Sequence, residues 1–145
     1  MNIAQVKNYE LIEHTADIGI RVKGKDLEEL FHNAALAMFD IIAEKVKSTS
    51  QKSKVKNLEI NQKAEDSEEL FINWLNELLS LSATKESIFS DFKIHKIDKK
   101  NLQATAIGED VRNYRVNTEI KAATYHQLKL EESADGWQAE VIFDV

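Results

Sequence analysis

The 145-residue chain contains no cysteine, no proline and only four glycines. Without cysteine it can form no disulfide, no thiolate zinc site and no thiol nucleophile. Without proline its turns must rely on Gly, Asp and Asn. The glycines are too scattered for a phosphate-binding loop, since they stand at Gly19, Gly24, Gly108 and Gly136. Cysteine chemistry and a glycine-rich nucleotide loop are therefore excluded.

Long apolar runs and blocks of basic residues are also missing. No run approaches the ~20 residues that a membrane span needs, and MNIAQVKNYE lacks the apolar core of a signal peptide. The net charge is −6, whereas a chain that binds nucleic acid by itself usually shows a concentrated basic face. We therefore expect a cytoplasmic protein with no membrane partner and no direct nucleic-acid binding of its own.

Two amphipathic helices are predicted within what we expect to be one domain, residues 1–145. DLEELF at 26–31 and DSEELF at 66–71 each carry the Asp-x-x-Glu spacing of a capping box. Apolar residues then recur at three- and four-residue steps, which predicts helices near 27–43 and 67–82. The shared motif is compatible with an internal duplication, but two helices using the same cap chemistry explain the six matching positions more simply.

The rest of the chain is typical of strands and polar connections. A polar loop is expected at 45–54, and residues 109–119 hold no sustained period and are also expected to form a loop. Strands are predicted at 9–14, 18–23, 55–62, 92–97, 102–108, 124–132 and 137–145. This order indicates an α+β two-layer sandwich, with two main helices packed on one face of a mainly antiparallel or mixed sheet.

Acidic residues near both ends of the sequence are candidates for a metal site. Alternation along the last strand puts Asp144 on the face away from Trp137 and Phe143, and the carboxylate of Val145 follows at once. These groups are either solvated or, together with Asp17, ligands of a hard cation such as calcium or magnesium. Asp17 alone could equally be a turn aspartate that accepts backbone hydrogen bonds.

No residue pattern marks an enzyme active site. Glu13 and His14 point to opposite faces if residues 9–14 form a strand, and no serine stands in an elbow motif beside a histidine. Lys121, within IKAATYH, is either an ordinary solvated lysine or a residue that contacts a phosphate or a partner. From these residues we expect a protein that is not an enzyme.

Several blocks of sequence, taken in order, resemble the archease family. They extend over nearly the whole chain, from EHTADIG near one end to the terminal FDV. The blocks are YELIEHTADIGIRVKG, DLEELFHNAALAMFDII, EELFINWLNELL, IKAATYHQL and GWQAEVIFDV.

The resemblance implies the role of an activator that turns over no substrate of its own. Archeases assist an RtcB-class GTP-dependent tRNA-splicing RNA ligase, promoting its guanylylation and repeated turnover, so that the ligase holds the RNA. The family's metal site corresponds to Asp17, Asp144 and Val145, with calcium as the expected ion and magnesium as the alternative. Lys121 is then expected to contact the ligase or its nucleotide.

Two other functional classes stay open at this point. A metal-dependent hydrolase would need a general base and a substrate pocket near the acidic residues. A chaperone-like binding module would need a large exposed apolar patch. The sequence does not indicate an oligomeric state.

Overall fold

The computed structural model of the protein describes residues 9–12, 17–46 and 54–145. Within these ranges the chain forms two α-helices, nine β-strands and a one-turn 3-10 helix at Val111–Asn113. In chain order the elements are β1 Tyr9–Ile12, β2 Ile18–Gly24, α1 Leu27–Ile42, β3 Ala43–Lys45, β4 Lys56–Lys63, α2 Ser67–Thr84, β5 Ser87–Ile97, β6 Asn101–Asp110, β7 Tyr114–Val116, β8 Ala122–Ser133 and β9 Gly136–Asp144. None of the described helices is long and apolar enough to cross a membrane.

Both helices begin at the capping boxes that the sequence predicts. The Asp26 carboxylate accepts the N–H of Glu29 at 2.8 Å, and the Glu29 carboxylate accepts the N–H of Lys25 at 2.9 Å. The second helix repeats this arrangement, with Asp66 accepting the N–H of Glu69 at 2.8 Å. Each cap satisfies an N–H group that has no partner inside the helix, which typically contributes ~1 kcal/mol.

In the part of the chain that the structure describes, every strand pairing is antiparallel, so the predicted α+β class with two main helices and an antiparallel sheet is confirmed. The described strands form three separate sheets, however, not one continuous sheet. A four-stranded sheet has the order β1-β2-β9-β8, a three-stranded sheet has the order β4-β6-β5, and β3 pairs with β7. Strand periodicity in the sequence does not specify partners, so this division was not predictable from it.

The helices pack against strands of both larger sheets and join them through one hydrophobic core. Helix α1 contacts β2 and β5, and helix α2 contacts β8 and β5. Between the helices the rings of Phe31 and Phe71 meet edge to face at 5.2 Å. Trp74 of α2 meets Phe92 of β5 at a ring distance of 5.7 Å. Apart from Ile142, the buried apolar side chains of the described residues belong to a single cluster, so the sheets and helices stabilise one another.

The segment 109–119 was expected to form a loop, and that expectation was wrong for residues 109–116, which form regular secondary structure. Strand β6 continues to Asp110, and β7 pairs with β3 through Ala43 with Val116 and Lys45 with Tyr114. Three-residue strands hold too few positions for a two-residue period to be visible, and their pairing depends on residues about 70 positions away.

Some expectations concern residues outside the described ranges. Residues 13–16, which include Glu13, His14 and most of the predicted turn before Asp17, are among them. Residues 47–53, the larger part of the predicted polar loop, are also outside. The predictions about these residues stay predictions.

A candidate acidic site at one end of the four-stranded sheet

The pairing of β2 with β9 relates the two aspartates that the sequence singles out. The register couples Ile18 with Phe143, Asp17 directly precedes β2, and Asp144 is the last residue of β9. If the same register is extended by one step beyond the last pair of the ladder, position 17 falls opposite position 144. Directly opposed residues on antiparallel strands have Cα atoms about 4.5–5.5 Å apart, so the two positions belong to the same end of the sheet.

Lys121, the residue directly before β8, lies at this end on the other side of β9. Ala122 pairs with Asp144, and the backbone N–H of Lys121 donates to the Asp144 carbonyl at 2.8 Å. The side chains of Lys121 and Asp144 are exposed, and Val145 is 42% exposed. We call the positions Asp17, Lys121, Asp144 and Val145 the acidic end of the sheet.

The acidic end is carried by a strand that is firmly embedded. Val141 and Phe143 are fully buried, as the predicted alternation requires, and Ile142 on the other face is only 7% exposed. The Thr124 hydroxyl also donates to the Ile142 carbonyl at 2.8 Å. The prediction that the last strand is paired within the sheet is confirmed as far as Asp144. The exposed Asp144 carboxylate is therefore attached to a strand that packs into the core.

Helix α2 contributes a contact that the sequence did not reveal. The side-chain carboxamide of Asn76 accepts the N–H of Ala123 at 2.7 Å and donates to the Ala123 carbonyl at 3.1 Å. Ala123 lies between Ala122, the partner of Asp144, and Thr124. Asn76 falls beside the apolar stripe of α2, where a polar residue is expected to face solvent, so no sequence pattern distinguished it.

The donor atoms of the acidic end are those that calcium and magnesium prefer. Asp17 and Asp144 offer side-chain carboxylates and Val145 offers main-chain oxygens, all of them hard ligands. Among residues 9–12, 17–46 and 54–145, no group of three or more His, Cys, Asp or Glu side chains is positioned to hold a metal ion. A site at the acidic end would therefore depend on the main-chain oxygens of Val145 as well as on the two aspartates.

A second polar cluster lies on the three-stranded sheet. It has the histidine, hydroxyl and carboxylate of a catalytic triad, but the hydroxyl lies between the histidine and the carboxylate. His95 Nε2 lies 2.7 Å from the Thr105 hydroxyl, and that hydroxyl donates to Glu59 at 2.8 Å. Because the hydroxyl proton goes to the carboxylate, the imidazole must donate to the hydroxyl oxygen and cannot act as its base. The chain of contacts joins β4, β6 and β5, which is a structural role.

Two cavities border the described part of the four-stranded sheet. A cavity of about 430 Å³, lined in part by Gly19 and Ile142, begins two positions along β2 and β9 from the acidic end. A wide cavity of about 580 Å³ lies at the opposite end of the β2–β9 ladder, where it is lined by Lys23, Lys25 and Trp137. Substrate sites usually combine a concave pocket with convergent polar groups. The wider cavity is separated from the acidic end by the length of the ladder, whereas the smaller cavity lies close to it.

Together the fold and the acidic end define a small α+β protein whose exposed polar groups suit ion or partner binding. Residues 9–145 match the model of the archease protein family. The chain belongs to the archease family, as the sequence resemblance indicated.

Curated relatives and solved structures agree with this assignment. The chain is 41% identical to Protein archease of Methanosarcina barkeri, covering 98% of this chain and 99% of that one. It is 41% identical to Protein archease of Pyrococcus abyssi, with 97% and 100% covered. The solution structure of Methanobacterium thermoautotrophicum Protein 1598 matches with a TM-score of 0.70 at 32% identity, covering 97% of this chain and 100% of that one. The crystal structure of an archease from Thermotoga maritima, described as a possible chaperone, matches with a TM-score of 0.65 at 29% identity, covering 92% and 94%.

Proposed function

We propose that this chain is a non-enzymatic activator of an RtcB-class GTP-dependent tRNA-splicing RNA ligase in the cytoplasm. In this role it promotes guanylylation of the ligase and its repeated turnover. The observation that carries the proposal is the register that pairs Ile18 with Phe143 and Ala122 with Asp144. Three segments distant in sequence thereby contribute Asp17, Lys121 and Asp144 to one end of a sheet.

Within this proposal the acidic end holds one divalent cation. Asp17, Asp144 and the main-chain oxygens of Val145 are the ligands, with calcium as the expected ion and magnesium as the alternative. The ion would supply a fixed positive charge among oxygens that otherwise repel one another. Lys121, whose side chain is exposed beside Asp144, would contact the ligase or its bound nucleotide.

The charge of the chain supports a model in which the ligase, and not this protein, binds the RNA. A net charge of −6 disfavours strong binding to the phosphate backbone of RNA. The ligase would therefore hold the RNA ends and the nucleotide, while this protein contacts the ligase through its acidic end.

The two other functional classes have less support from the described residues. A hydrolase would need a general base at the acidic end, and His95 lies in the polar cluster with Thr105 on a different sheet. A chaperone-like module would need a continuous apolar patch. Large exposed apolar residues are instead distributed over separate elements, for example Leu11 on β1, Val116 on β7 and Tyr125 on β8.

Reconstitution with a cognate ligase tests the proposal. The ligase would be limiting, with GTP, a divalent cation and RNA that carries the two ends to be joined. We expect the protein to accelerate ligase guanylylation and to raise the number of RNA ends joined per ligase, and to join none without the ligase. Joining without ligase would make the protein an enzyme. Equal ligase activity with and without the protein would refute the activator role.

A further inference from the structure

The beginning of strand β8 is held to the sheet by three residue pairs. Among the residues that the structure describes, β8 is an edge strand whose one neighbour in the sheet is β9. Its first ladder segment runs from Ala122 to Thr124 and then breaks. Pairing resumes at Lys129 with Glu140, five positions further along β8 but only two along β9. Because an edge strand has unpaired backbone groups on its open side, three residues next to a bulge form a weak attachment.

The Asn76 carboxamide occupies that open side. It accepts the N–H of Ala123 at 2.7 Å and donates to the Ala123 carbonyl at 3.1 Å. An amide side chain has one acceptor oxygen and two donor hydrogens, so it replaces the peptide group that a further strand would supply. Both backbone groups of Ala123 are thus satisfied by a residue of α2, and not by a sheet neighbour.

The helix that carries Asn76 is itself anchored in the core. Its neighbours Trp74, Leu75 and Leu78 are fully buried. The Trp74 indole N–H also donates to the Phe31 carbonyl of α1 at 2.9 Å. The position of the Asn76 carboxamide is therefore well fixed, since a packed helix does not shift easily against its neighbours.

The contact with Ala123 connects Asn76 to the acidic end. Ala123 pairs with the fully buried Phe143, and the next residue, Ala122, pairs with Asp144. The backbone of Lys121 then bonds to Asp144. Displacement of Ala123 would therefore displace Lys121 and loosen one side of Asp144.

We propose that Asn76 is a positioning residue, which holds the first residues of β8 and thereby sets the geometry of Lys121 and Asp144. This inference rests on the proposed function for its effect on the ligase. Its structural part concerns only the protein itself. Asn76 would contact neither the metal ion nor the ligase and would act through Ala123.

Hydrogen exchange at the Ala123 amide reads out the contact directly. Asn76→Leu keeps the branched shape and removes both hydrogen bonds, so exchange at Ala123 should become about tenfold faster. Asn76→Asp keeps the acceptor for the Ala123 N–H and should retain most of its protection. Asn76→Ala serves as a second variant if leucine does not fit. Unchanged exchange at Ala123 in both Leu and Ala variants would overturn the inference.

Metal affinity and ligase stimulation then test the consequence for the acidic end. We expect Asn76→Leu to weaken calcium binding and ligase stimulation by roughly fivefold to tenfold. The matched control is Gln62→Leu, which removes a hydrogen bond of 3.0 Å from β4 to the Asn73 carbonyl of α2 and leaves Ala123 untouched. The control should retain wild-type calcium binding and ligase stimulation, even if its melting temperature falls as far as that of Asn76→Leu.

The outcomes distinguish the two proposals. A wild-type chain that neither binds calcium nor stimulates the ligase would refute the proposed function, while exchange at Ala123 would still decide whether Asn76 holds β8. Wild-type stimulation matched by Asn76→Leu would refute the positioning role alone. Equal losses in Asn76→Leu and Gln62→Leu would also refute it, since the effect would then follow general stability.

Discussion

Replacing Trp74 should be among the costlier changes in this protein. Its side chain is 0% exposed, its ring lies 5.7 Å from Phe92, and its indole N–H donates to the Phe31 carbonyl at 2.9 Å. Truncation of a buried tryptophan to alanine typically costs about 3–5 kcal/mol. We expect Trp74→Ala to lower the free energy of unfolding by that amount. For a chain of this length such a loss lowers the melting temperature by roughly 10–20 °C.

A more conservative variant separates the packing of the ring from its hydrogen bond. Trp74→Phe keeps an aromatic ring but loses the N–H donor. The Phe31 carbonyl lies inside α1, where it also accepts a helical hydrogen bond, so it would not be left without a partner. We therefore expect Trp74→Phe to cost only about 1–2 kcal/mol.

Chemical denaturation followed by far-UV circular dichroism measures these losses without relying on tryptophan fluorescence. Trp137, the second of the two tryptophans, provides the matched control because it is only half-buried and has a Lys99 ammonium 5.9 Å from its ring. Trp137→Ala should cost roughly half as much as Trp74→Ala, in proportion to the apolar area removed. A Trp74→Ala loss below ~1 kcal/mol, or one no larger than the control, would contradict the assignment of this face of α2 to the core.

The remaining predictions concern the acidic end. Asp17→Asn and Asp144→Asn should each remove most of the rise in melting temperature that calcium gives the wild type, and most of the ligase stimulation; a full rise in both variants would refute the site. Residues added after Val145 should have the same effect, because they convert its carboxylate to an amide, whereas an equal extension before the first residue should not. Lys121→Ala should reduce ligase stimulation at an unchanged melting temperature. Stimulation equal to that of the wild type would show that Lys121 is an ordinary solvated lysine with no role in ligase contact.

Local chemistry made much of the fold predictable. The capping boxes at Asp26 and Asp66 located both helix starts, because the cap and its partner are three residues apart in sequence and in space. Alternation in the last strand gave the correct faces for Val141, Phe143 and Asp144. In each case the signal and the structure lie within a few residues of one another.

Features that depend on distant partners were not predictable. The division into three sheets, the pairing of β3 with β7 and the bulge between Thr124 and Lys129 follow from tertiary contacts. Asn76 shows the same limit within the candidate site. Its role is defined by Ala123, 47 positions later in the chain, and no periodicity in α2 could indicate that partner. The site residues themselves came from the family resemblance and from the charges near both ends.

The construction of the acidic end determines which variants can be informative about function. Asp17, Lys121 and Asp144 come together only when β2, β8 and β9 have paired, so any variant that unfolds the sheet will also abolish stimulation. A loss of stimulation by a core variant such as Trp74→Ala therefore says nothing about the site. Asp144 and Lys121 are exposed, and exposed substitutions usually change stability by less than about 0.5 kcal/mol. Loss of stimulation at an unchanged melting temperature in these two positions would thus separate contact with the ligase from maintenance of the fold.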